Sequence, residues 1–212
     1  MKKLFLILCV LIFSMSLWSV AYATDIPIDI SDERIEELKT IQKVAHDLAN
    51  NARYLGCEET NLVIDFARAK WWEAEYELQE IEYWKTKKDI EIIAVVIYNE
   101  ALGGCTDRHR ELVAAVILNR VADSRFPNTV SDVVAQPGQY HSGYVNPESY
   151  YYQRAINDSE NFKLCFEIAT KAVNGEVECP TNVLYQSNYN SLGNGYYELC
   201  YTDYSVTYFA YG

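Results

Sequence analysis

The chain has 212 residues, with 30 Asp and Glu against 18 Lys and Arg and a formal net charge of −12. So acidic a chain is a poor partner for nucleic acid or anionic membrane surfaces, because its own field repels them. The length allows one domain with a sizeable core plus an appendage, and 18 Tyr, 7 Phe and 4 Trp supply rings whose apolar faces suit sugars as well as a core.

The first segment reads as a signal peptide over 1–23. Lys2 and Lys3 form a basic start, 4–20 is an apolar run, and Ala21-Tyr22-Ala23 fits the small-residue cleavage rule, leaving Thr24 as the new N-terminus. The alternative, an uncleaved anchor, has a short span for a bilayer. Secretion is therefore the expected localisation. Cleavage leaves Cys57, Cys105, Cys165, Cys179 and Cys200, an odd set that allows at most two bridges. No C-x-x-C occurs, and His46, His109 and His141 lack ligand spacing, so neither a metal nor a cofactor is called for.

Residues 31–56 are predicted as an amphipathic helix with Ile35, Leu38, Ile41, Ala45, Leu48, Ala52 and Leu55 inward and Gly56 as its stop. A second helix over 59–86 would bury Leu62, Phe66, Ala69, Trp72, Tyr76 and Ile81. The two form a helical hairpin or coiled coil, with Trp71, Trp72 and Trp84 read as core rather than as a sugar platform. Thr86-Lys87-Lys88 is the expected junction, so that 24–88 is an appendage and 89–212 the main domain.

The main domain opens with a short helix capped by Asp89 and ended by Gly103-Gly104. Ile92, Ile93, Val96 and Ile97 give it one apolar face, and Glu100 projects near that face. Desolvation at such a position raises a carboxyl pKa and suits a general acid. Cys105, with His109 or His141, is an alternative thiol nucleophile. Further helices are expected over 111–122, from Ser131 to Val134, opening at Asn146-Pro147-Glu148, and over 159–174. Between them, 136–144 is a loop rich in amides and aromatic rings, the kind that carries binding groups. Segments 182–187 and 206–211 alternate as strands around a turn at 192–195. The fold class is α+β, mostly helical with a small antiparallel sheet.

Four ordered blocks carry a family resemblance: Ile92-Ile-Ala-Val-Val-Ile-Tyr-Asn-Glu-Ala-Leu-Gly-Gly, Glu111-Leu-Val-Ala-Ala-Val-Ile-Leu-Asn-Arg-Val, Arg125-Phe-Pro-Asn-Thr-Val-Ser-Asp-Val-Val and Gln136-Pro-Gly-Gln-Tyr. With the tail segments they resemble the SleB-type cell wall hydrolase (spore-cortex-lytic) family over about 89–212. The resemblance implies a lysozyme-like, lytic-transglycosylase-type domain acting on peptidoglycan glycan strands in the wall or spore cortex. It places the catalytic carboxylate at Glu100 and the groove wall at Gln139 and Tyr140, with Tyr98 and Tyr185 as further wall residues. Many members have a second Glu where this chain has Gly104-Cys105. A two-carboxylate hydrolase needs an acid and a base or nucleophile at set separations, and Asp107, Glu111, Asp123 and Asp132 have no motif support. A transglycosylase needs one carboxylate. The alternatives are a water-using muramidase and a non-catalytic wall-binding protein. The helices of 24–88 are expected to serve self-association or wall docking.

Overall fold

The computed structural model describes residues 28–55, 59–189 and 194–212. The proposed signal segment, Gly56, Cys57 and the first half of the turn at 192–195 lie outside them. The chain forms α1 (Asp32–Leu55), α2 (Glu59–Ala101), α3 (Asp107–Ala122), α4 (Val130–Ala135), a 3-10 turn (Ser142–Val145), α5 (Tyr150–Asn157), α6 (Ser159–Val173), then β1 (Val183–Ser187), β2 (Tyr196–Tyr201) and β3 (Val206–Tyr211). The expected α+β layout is what forms. Among the described residues no helix is long and apolar enough to cross a membrane.

The expected hairpin is present and keeps the predicted Leu38, Ala45, Ala52 and Ile81 in its seam, but the rest of the predicted α2 stripe is replaced. The buried positions are Leu38, Ala45 and Ala52 on α1 and Ala67, Ala74 and Ile81 on α2, each set at heptad spacing. Small side chains there let the two backbones approach closely. Phe66 is 59 % exposed and Trp72 64 %. Leu62, Tyr76, Ile41 and Leu48 also face outward, so the predicted stripe is largely solvent-facing and Trp72 is not core. Polar pairs set the register: Arg34 donates to both carboxylate oxygens of Glu77 at 2.7 and 2.9 Å, Gln42 to Glu75 at 2.7 Å and Lys85 to Asp32 at 2.8 Å.

Helix α2 also corrects the expected junction. It runs unbroken through Thr86, Lys87 and Lys88, and Asp89 is an interior residue rather than a cap. No Gly or Pro interrupts the segment, and charge alone does not end a helix. Beyond Lys88 the helix enters the core. Ile92 through Ile97 are buried all round rather than on one face, as befits a central helix. Helices α3, α5 and α6 pack around it, contributing Leu112, Val113, Val116, Ile117, Phe162, Cys165 and Ile168.

Helix α3 starts one turn before its predicted start, because the Thr106 hydroxyl accepts from the His109 amide at 3.2 Å and caps it. Thr129, not Ser131, caps α4. Ser149 caps α5, which therefore begins after the Asn146-Pro147-Glu148 segment. The sheet has the order β1-β3-β2, antiparallel throughout. Strand β2 was not predicted. Its burial does not alternate, so period-two reading misses it. The Asn119-Arg120 pair ties α3 to β1: Asn119 donates to the Val183 carbonyl at 2.9 Å and Arg120 Nε to the Leu184 carbonyl at 2.7 Å.

Candidate active site

Glu100 stands in the last turn of α2, directly after the buried run. Three contacts fix that helix end. Arg110 from α3 donates to the Leu102 carbonyl at 3.0 Å, satisfying one of the orphan acceptors of the terminus. Asn99 donates to the Val95 carbonyl at 2.8 Å and accepts from Arg154 at 2.9 Å. Gly104 adopts φ +69°, a left-handed conformation that turns the chain towards α3.

The Glu100 side chain is exposed. The burial expected of it is absent, because the core ends one turn earlier and Gly103-Gly104 open the surface. Its Oε1 accepts a hydrogen bond from Tyr144 Oη at 2.7 Å. Tyr144 is only 6 % exposed. It sits in the 3-10 turn, where the Tyr144 amide donates to the His141 carbonyl at 2.9 Å and the Gly143 amide donates to His141 Nδ1 at 3.0 Å. The rings of His141 and Tyr151 each lie 5.8 Å from the Tyr144 ring. Burial first, and then the Glu100 carboxylate, push the Tyr144 phenol well above its ordinary value. It is a proton donor that does not ionise at working pH.

Tyr140 is also buried, and its hydroxyl has no hydrogen-bond partner. Burial raises its phenol and the charge of Glu100 adds to that, while Arg120 opposes it. Gln139, next to it, is exposed. Tyr185 on β1 joins this wall through Arg120. The guanidinium carbon of Arg120 lies 5.5 Å from the Phe126 ring, 5.8 Å from Tyr140 and 5.9 Å from Tyr185, a buried cation held by three aromatic faces. Tyr98 goes elsewhere. Two residues from Glu100 on the helix, it points to another side, is 7 % exposed, and donates to Asp158 at 2.9 Å. The structure thus brings Glu100, Tyr140 and Tyr144 together, links Tyr185 to them through Arg120, and holds Tyr98 at the α5–α6 junction.

The other carboxylates considered from sequence are engaged in local pairs. Asp107 binds Arg110 at 2.7 Å, Glu111 lies 3.6 Å from Arg108, and Asp132 accepts from the Thr129 hydroxyl at 2.7 Å. Arg125 beside Asp123 holds its carboxyl down at about 2. Cys105 is partly buried, and burial raises its thiol above the ordinary value despite Arg110, which opposes a thiolate nucleophile. The buried His109 ring packs edge-on against Phe209 at 5.5 Å. Among the described residues no cluster of His, Cys, Asp or Glu is disposed to hold a metal ion.

Two residues of this site were missed in the sequence. Tyr144 lies in a loop whose 3-10 turn leaves no periodic signal. Arg120 did leave one: a cation inside an otherwise apolar helix. Although it lies near the end of α3, it is 2 % exposed.

Compared with known proteins, residues 106–197 match the family described as Cell Wall Hydrolase. No curated protein and no solved structure matches the chain. Gln139, Tyr140, Tyr144 and Tyr185 fall within the matched segment, and Glu100 just before it. The likeness to a cell wall hydrolase domain thus covers residues 106–197, from the start of α3 into β2.

Proposed function

We propose that the protein is a SleB-type lytic transglycosylase that cuts the β-1,4 bond between MurNAc and GlcNAc, with Glu100 as both acid and base. The observation that supports this reading is a lone exposed carboxylate at the end of the core helix, with one oxygen already engaged by a buried phenol. Protonated Glu100 gives its proton to the glycosidic oxygen as the bond to C1 breaks, and the bonding electrons leave with that oxygen. The resulting carboxylate then takes the proton of the muramic 6-hydroxyl as that oxygen closes on C1. The product is a 1,6-anhydro end, and no water is consumed. Because the nucleophile belongs to the substrate, proximity supplies much of the rate. Glycan binding desolvates Glu100 in the complex. Gln139 and Tyr185 form the wall against which the sugar packs, the buried Tyr140 backs that wall, and Tyr98 supports the helix from behind.

Mass spectrometry of peptidoglycan digested with residues 24–212 tests the product. Anhydro ends are expected; reducing muramic ends would instead mean a water-using muramidase. Glu100→Gln keeps the shape and removes the acid. Loss of about 10²-fold or more in turnover is expected, in line with general acid catalysis, and retained activity would overturn the assignment. Digesting vegetative and cortex material side by side identifies the physiological substrate. Residues 1–23 act as a cleaved signal, so the secreted protein should begin at Thr24. The outward apolar side chains of the hairpin, Ile41, Leu48, Phe66 and Trp72, serve self-association or wall docking. Sedimentation of the free protein and its retention on insoluble peptidoglycan separate these two roles.

A further inference from the structure

We propose that Tyr144 is a positioning residue that fixes which oxygen of Glu100 carries the catalytic proton. The inference rests on Glu100 being the acid. A carboxylic acid has one good acceptor, its carbonyl oxygen, and one hydroxyl oxygen that accepts poorly. Tyr144 Oη donates to Glu100 Oε1 at 2.7 Å. That bond favours Oε1 as the carbonyl and places the proton on Oε2. Glu100 is exposed, so the remaining oxygen is free to meet a glycosidic bond. When the proton has left, the same phenol stays bound to the carboxylate and keeps Oε2 in place for the return step. Tyr144 gives up no proton of its own at any stage.

The surroundings make this phenol a rigid reference point. Its backbone is fixed by the 3-10 turn and its ring by His141 and Tyr151. The turn is closed by Ser149, whose hydroxyl donates to the Gly143 carbonyl. Gly143 leaves no room for a side chain. A Cβ there would lie 3.0 Å from His141 Nδ1, 3.2 Å from Ser149 Oγ and 3.2 Å from Tyr151 Cδ2. The ring makes the aromatic contacts with His141 and Tyr151, and the hydroxyl makes the bond to Glu100.

Tyr144→Phe in residues 24–212 isolates the hydroxyl, and the exposed carboxylate can bond to water in its place, so folding is retained. Two substrates are compared: native glycan, and GlcNAc–MurNAc disaccharides bearing an aryl group at muramic C1. On native glycan kcat should fall by about tenfold or more with KM changed by less than about twofold, the pattern of an interaction used in the transition state. The deficit should shrink markedly on the dinitrophenyl glycoside, whose leaving group needs no proton, relative to the methylumbelliferyl one. Gly143→Ala shifts the turn without removing the phenol and should give a smaller deficit with the same leaving-group dependence. Full kcat in Tyr144→Phe on native glycan, or an equal deficit on both aryl glycosides, would overturn the inference. Activity in Glu100→Gln would overturn the reading beneath it, so the two failures are distinguishable.

Discussion

The two halves of α2 obey different packing rules within one unbroken helix. Before Lys88 it is half of a hairpin, closed by Ala67, Ala74 and Ile81, with aromatic side chains left outside. After Lys88 it is surrounded, and every residue from Ile92 to Ile97 is buried. The first half is held by close backbone approach and by pairs such as Arg34–Glu77. The second is held by the volume of branched side chains. A hydrophobicity pattern reports the second kind of contact and ranks the first poorly where larger apolar residues compete, as Phe66 and Trp72 do with Ala67 and Ala74, because alanine contributes little to the pattern and much to the fit.

Four substitutions probe that contrast, from the largest expected effect to the smallest. Ile93→Ala, in the wholly buried half, should cost about 2–5 kcal/mol through lost burial and a cavity, seen as a lower denaturation midpoint in urea. Thr86→Pro, at an exposed position in the middle of α2, should cost about 3 kcal/mol by removing a helical hydrogen bond. It should also uncouple hairpin melting from domain melting in calorimetry; a single unchanged transition would contradict the continuous helix. Ala74→Leu should cost about 1–3 kcal/mol by overpacking a seam with no room. If the predicted stripe were the true interface, that change would instead be neutral. Phe66→Ser, on the outward face, should change stability by less than about 0.5 kcal/mol, measured by thermal melting of the monomer.

The legible parts of the fold were those with local signals. Thr106, Thr129 and Ser149 act as caps within a few residues of the predicted starts, and 159–174 and 206–211 carried clear periods. The α1 side of the hairpin seam, Leu38, Ala45 and Ala52, was legible, as was Ile81, whereas Ala67 and Ala74 on α2 were passed over for the larger Phe66 and Trp72 beside them. The continuity of α2 was illegible because a charged stretch resembles a linker, although it contains no residue that stops a helix. At the site, the place of Glu100 at the end of an apolar helix was legible from the pattern. Its exposure was not, since that depends on where α3 and the 3-10 turn leave a gap. Tyr144 lies 44 residues away from Glu100 in sequence, and nothing local marks a loop tyrosine as the partner of a particular carboxylate. Arg120 had a signal, a charge in a buried pattern, whose meaning emerged only with the three rings around it.

The unbroken α2 also has a mechanical meaning. At about 1.5 Å per residue, the rod from Leu62 to Glu100 is roughly 57 Å long. With no Gly or Pro to serve as a hinge, the hairpin and Glu100 sit on one lever. Anything that holds the hairpin tip therefore also fixes the direction in which the Glu100 end of the rod points.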